Sequence, residues 1–130
     1  MRFRFQNVRK GYCEVWANEH DGQRYGRMAA IHRNKDGWHW LATDCYALPE
    51  KNYVAQSTRR ECINDCMRTA LKRLVEHAIE RQPKESQHWN SPRRDAWCDV
   101  MRYDDLFSYG ELEEMDKRLK TFEEEPHVND

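Results

Sequence analysis

The chain has 130 residues, 38% hydrophobic and 35% charged, with a formal net charge of −1; two self-sufficient cores of about 65 residues each would be marginal, so a single domain is expected. Leu, Ile, Val and Phe number only 20, fewer than an ordinary globular chain carries. The low net charge and 12% aromatic content argue against disorder, and the core must draw on aromatics, Met and Cys.

The first half reads as strands. Arg2 to Val8 alternates, with Phe3 and Phe5 on one face and Arg2 and Arg4 on the other. Tyr12 to Trp16 continues an extended pattern after Gly11. Asp21-Gly22 and Asp36-Gly37 are hairpin signals, since Gly tolerates the positive φ that tight turns require. Trp38 and Trp40 share a face of the strand after the second turn, and Tyr46 to Ala55 adds an extended stretch interrupted by Pro49. Together these predict an antiparallel meander of three to five strands over residues 1–56.

The second half reads as helices. Thr58-Arg59-Arg60-Glu61 is a capping-box sequence. After it the pairs Cys62/Ile63, Cys66/Met67, Ala70/Leu71, Leu74/Val75 and Ala78/Ile79 recur every four residues. That stripe predicts an amphipathic helix over 59–82, ending before Pro83. Its four-residue period slips about 40° per step on a 3.6-residue helix, so the stripe winds and suits a twisted sheet. Ser91-Pro92 starts a second helix, over 92–103, whose expected apolar face is Ala96, Trp97, Val100 and Met101. Ser108-Tyr109-Gly110-Glu111 caps a third, over 109–122, with Leu112, Met115, Leu119 and Phe122 inward. The expected fold is α+β: an N-terminal antiparallel sheet on a long helix with two further helices behind, forming one domain over 1–122. Residues 123–130 read as an acidic, frayed tail.

No stretch of about 18 apolar residues occurs, so no membrane-spanning helix is expected. Met1 to Phe5 is too polar for a signal peptide. The cysteines are Cys13, Cys45, Cys62, Cys66 and Cys98, an odd number without a regular framework. They fit buried thiols in a reducing compartment, and the cytoplasm is the expected location.

The glycines are isolated and write neither a Walker loop nor a dinucleotide fingerprint. Cys62 and Cys66 lie one turn apart and could share a soft cation, but further ligands are not fixed, and both fall inside the apolar stripe. No metal or cofactor is expected. His20, His32, His39 and Asp44 are candidate bases and Cys45 a candidate nucleophile, yet no acid–base pair has diagnostic spacing; a non-enzymatic protein is expected.

Charge is unevenly spread. Residues 1–60 carry +5, residues 61–95 +1 and residues 96–130 −7. Two binding readings follow. In the first, Glu113, Glu114 and Asp116 form an acidic ridge on the third helix that occupies a basic site on another protein, with Trp89 as an exposed anchor. In the second, Arg4, Arg24, Arg27 and Arg33 with Trp38 and Trp40 make the sheet a nucleic-acid surface. A homodimer is compatible with either. In size, charge and missing catalytic motifs the chain resembles the small accessory proteins of phages and plasmids. That likeness implies an effector that blocks a host nucleic-acid-handling protein, and the protein-binding reading is placed first.

Overall fold

The structure, a computed structural model, describes residues 1–18, 24–43, 48–52, 54–81 and 92–120. It is α+β. Four strands, β1 (Arg2–Arg9), β2 (Tyr12–Asn18), β3 (Gly26–Asn34) and β4 (Gly37–Ala42), precede the helices α1 (Arg59–Arg81), α2 (Pro92–Arg102) and α3 (Tyr109–Leu119). The chain divides into two compact units, residues 1–70 and 71–130, with α1 contributing to both.

In the first unit the strands form one antiparallel sheet in sequence order, β1-β2-β3-β4. The β1–β2 turn is Lys10-Gly11, with Gly11 at φ 77°. It escapes the Asp-Gly search because the positive φ is carried by a Gly that follows Lys. The β3–β4 turn is Lys35-Asp36, one residue ahead of the expected Asp36-Gly37, because Asn34 pairs with Gly37 and the glycine already belongs to β4. There Asn34 Oδ1 accepts from the Asp36 N–H at 2.8 Å, and Gly37 begins the strand at φ 130°. The Asp21-Gly22 signal lies outside the described residues.

The register sorts the side chains onto two faces. One carries Phe3, Phe5, Cys13, Val15, Ala29, Ile31, Trp38 and Trp40. At its centre Cys13, Val15, Ala29, Ile31 and Trp40 are at most 2% exposed. The first half of α1 lies against this face, burying Cys62, Ile63, Cys66, Met67 and Ala70. Two polar links fix it there: Trp40 Nε1 donates to Asp65 Oδ2 at 2.8 Å, and Arg59 donates to Asn7. The helix starts as predicted, with the Glu61 N–H donating to Thr58 Oγ1 at 3.1 Å.

Of the extended stretch expected after β4, the described residues 48–52 and 54–56 form an irregular edge. It meets β4 at two isolated bridges, Trp38 with Gln56 and Leu41 with Lys51. Buried Asn52 fills the gap between them. Its Oδ1 accepts from the Trp40 N–H at 3.0 Å and its Nδ2 donates to the Val54 carbonyl at 2.8 Å, replacing ladder bonds that the irregular backbone cannot make.

In the second unit the later part of the α1 stripe is buried at Leu71, Val75 and Ala78. The capping box of α3 forms as expected: Ser108 Oγ accepts from the Glu111 N–H and Glu111 Oε1 from the Ser108 N–H. The expected face of α2 needs correction. Met101 is 41% exposed, and the buried positions are Arg93, Ala96, Asp99 and Val100. Arg93 is tolerated inside because its guanidinium donates to the last carbonyl of α3, that of Leu119, at 3.0 Å. The Ser91 cap, Trp89, Phe122 and the acidic tail lie outside the described residues.

Candidate functional site

With α1 on one face of the sheet, the other face forms a grid of polar and aromatic side chains. One row reads Arg4–Trp16–Arg27 across β1, β2 and β3. The next reads Gln6–Glu14–Ala30–Leu41, and the third Arg9–Tyr12–His32–His39. Arg2, Arg4, Gln6, Arg9, Arg27 and Leu41 are exposed, while Tyr12, Trp16 and Tyr25 are half-buried. Two irregularities set this pattern. A bulge at Val8 turns Arg9 onto the face of Tyr12, and a second, opposite Val15 and Trp16, aligns Arg27 with Trp16.

Guanidinium groups stack on the rings. The Arg4 guanidinium lies 4.1 Å from the Tyr25 ring centre and that of Arg9 lies 4.6 Å from Tyr12. A cation–π contact of this kind uses no N–H donor in a hydrogen bond, so the guanidinium can still meet an anion. Glu14 organises the middle of the grid: Oε1 accepts from Trp16 Nε1 at 3.2 Å and Oε2 from Arg27 Nη1 at 3.0 Å. His32 and His39 stack at 5.7 Å between centroids. Burial, and secondarily the neighbouring imidazole, pushes the His32 pKa down.

The structure divides the residues expected to form the nucleic-acid surface. Arg4 and Arg27 stand together on the open face, and Arg24 is exposed just ahead of β3. Arg33, Trp38 and Trp40 belong to the opposite face. Trp40 is 2% exposed with its N–H committed to Asp65; it is core and cannot stack on a base. Trp38 pairs with the edge at Gln56 through N–H···O bonds of 2.8 and 2.9 Å. The tryptophan that does occupy the open face, beside Tyr12 and Tyr25, is Trp16, which the expected set omits. Its signal was available: Tyr12, Glu14 and Trp16 alternate with Cys13, Val15 and Ala17, and the small apolar set is the one a helix covers.

The acidic ridge is also redrawn. Glu113 and Glu114 are exposed on α3. Asp116 is half-buried and paired with Lys120 Nζ at 2.8 Å, one helical turn on, so it stands less open to a partner than Glu113 and Glu114. Arg118 forks onto Glu76, and Lys72 pairs with Glu111 at 2.8 Å. These two pairs line a cleft of about 530 Å³ together with Val75, Met115 and the exposed Glu114.

Cys62 and Cys66 are fully buried in the apolar stripe. Burial, reinforced by Asp65, pushes the Cys62 thiol up to about 12, the opposite of a thiolate ligand or nucleophile. No group of three or more potential metal ligands occurs among the described residues. No helix among the described residues is long and apolar enough to cross a membrane. Comparison of the chain with protein-family models, with curated proteins and with solved structures finds no match.

Proposed function

We propose that this protein is a nucleic-acid-binding module that works through the open face of its sheet. The observation that supports this best is the coincidence, on the sheet face opposite α1, of guanidinium groups placed over Tyr12 and Tyr25 with an indole anchored beside them. Such a surface supplies both donors for phosphate and rings for bases. The local charge agrees: residues 1–70 contain 12 Lys and Arg against 8 Asp and Glu, or +4, although the whole chain is weakly acidic. Changing Arg4, Arg9 and Arg27 together to Ala tests it by fluorescence anisotropy with labelled oligonucleotides. The wild type should bind at low salt, with affinity falling as salt rises through counterion release; the triple variant should bind more weakly with a shallower salt slope. A wild type that binds no oligonucleotide at micromolar concentration and low salt rules the reading out.

A second reading keeps the accessory-effector idea, favoured by the exposure of Glu113 and Glu114 side by side on α3. Here α3 occupies a basic site on a host nucleic-acid-handling protein. Glu113→Lys with Glu114→Lys should then abolish capture of that partner in nuclease-treated lysate while the melting temperature holds. Capture unchanged by the reversal removes this reading.

A further inference from the structure

We propose that the open face takes single-stranded rather than duplex nucleic acid, with bases turned onto Trp16 and phosphates along β1, and that Glu14 sets this preference. The inference rests on the nucleic-acid reading above. The face is arranged as two parallel tracks. The edge strand β1 carries the cations Arg2, Arg4 and Arg9, and its neighbour β2 carries Tyr12, Glu14 and Trp16. A cationic track therefore runs beside an aromatic one at the spacing of adjacent strands, about 4.8 Å. A single strand can turn its bases to one side and its phosphates to the other, matching the two tracks. A duplex keeps its bases stacked inside and presents phosphate ridges, which would have to cross the aromatic track.

Glu14 makes that crossing unfavourable. Its carboxylate sits in the middle row of the grid, between the rows of Trp16 and Tyr12. A phosphate laid there meets like charge, which Arg27 offsets only in part. The same carboxylate holds the indole N–H at 3.2 Å and is itself only 13% exposed, so the Trp16 ring is positioned before any ligand arrives. A pre-positioned ring loses little freedom on stacking. Glu14 thus acts twice, by orienting the stacking residue and by excluding phosphate from the centre of the face.

The experiment compares the full-length wild type, Trp16→Leu, Trp16→Phe and Glu14→Gln by anisotropy. The probes are a labelled single-stranded RNA, the DNA of the same sequence and the DNA duplex. Wild type should bind the better single strand at least tenfold more tightly than the duplex, and the two single-stranded arms identify which sugar is preferred. Trp16→Leu should lose roughly 5- to 150-fold on the single strand, the size of one lost base stack, with duplex binding unchanged. Trp16→Phe keeps a ring and should retain most of the affinity, which keeps the test valid should Trp16→Leu unfold. Glu14→Gln should raise duplex affinity and narrow the ratio. A duplex bound as tightly as either single strand, or a folded Trp16→Leu that binds the single strand like wild type, overturns the inference and leaves the nucleic-acid reading standing. Absence of binding to all three probes removes both.

Discussion

At the scale of single residues, two positions hold the irregular edge beside β4. Gly37 has φ 130°, and a Cβ built there would lie 2.6 Å from the Gln56 carbonyl oxygen. Gly37→Ala therefore meets both a backbone conformation that L residues rarely adopt and a clash with main chain. It should cost about 1–3 kcal/mol, read as a lower denaturant midpoint. Asn52→Ala should cost a similar amount, about 1–3 kcal/mol, because it leaves the buried Trp40 N–H without an acceptor. The cysteines separate by environment: Cys13, Cys62 and Cys66 are buried and Cys98 is exposed, and burial pushes the thiols of Cys13 and Cys62 up. Iodoacetamide at pH 8 followed by peptide mapping should label Cys98 in the native protein, and Cys13, Cys62 and Cys66 only after denaturation. Native labelling of Cys62 would contradict its placement beneath the sheet.

At the scale of elements, α1 carries the largest burden. Leu71 is 0% exposed near the middle of the helix, and Leu71→Asp would place an unpaired carboxylate among apolar atoms. A loss of several kcal/mol is expected, enough to abolish a cooperative thermal transition; an unchanged melting temperature would refute the assignment of this stripe to the core. In the second unit, the ion pair between Glu76 on α1 and Arg118 on α3 predicts a pH dependence with a definite sign. The Arg118 hydrogen bond holds the Glu76 carboxyl below its ordinary range. A carboxyl with a depressed folded pKa contributes its stabilisation in full above its unfolded value, about 4.3, and loses it as pH falls through the folded one. The two side chains are 41% and 42% exposed, so solvent limits the effect to about 1 kcal/mol or less. Arg118→Met should lower stability by a constant amount between pH 8 and pH 6, and the gap from wild type should close toward pH 3.

At the scale of the whole molecule, charge is partitioned by unit. Residues 1–70 carry +4 and residues 71–130 carry −5, from 10 Lys and Arg against 15 Asp and Glu. A net charge of −1 would predict weak retention on any polyanion. Concentration of guanidinium groups on one sheet face predicts the reverse, since local potential rather than net charge governs association. At pH 7.4 and low salt the protein should be retained on heparin. The Arg4, Arg9 and Arg27 triple Ala variant should elute earlier, whereas Glu113→Lys with Glu114→Lys should elute no earlier than wild type. Wild-type flow-through without retention would show that the basic rows are too dispersed to act together.

Local chemistry in the chain determined the α+β class, the long helix from Thr58, the cap at Ser108 and, to within one residue, the hairpin between β3 and β4. Each depends on residues within a few positions of one another, so periodicity and capping suffice to reveal it. Which sheet face is covered depended on pairing across strands. Trp38 and Trp40 share a face by alternation alone, but only the register that aligns Ile31 with Trp40 puts that face under α1. The same register, shifted by bulges that no local signal announced, gathers Arg4, Arg9, Arg27, Tyr12 and Trp16 on the opposite side. On α2, the helical spacing of apolar residues pointed to Met101, and a hydrogen bond to a carbonyl 26 residues away holds Arg93 inside instead. Burial of a side chain is decided by what packs on it. A periodic pattern therefore tells which residues share a face, and the tertiary structure decides which face meets water.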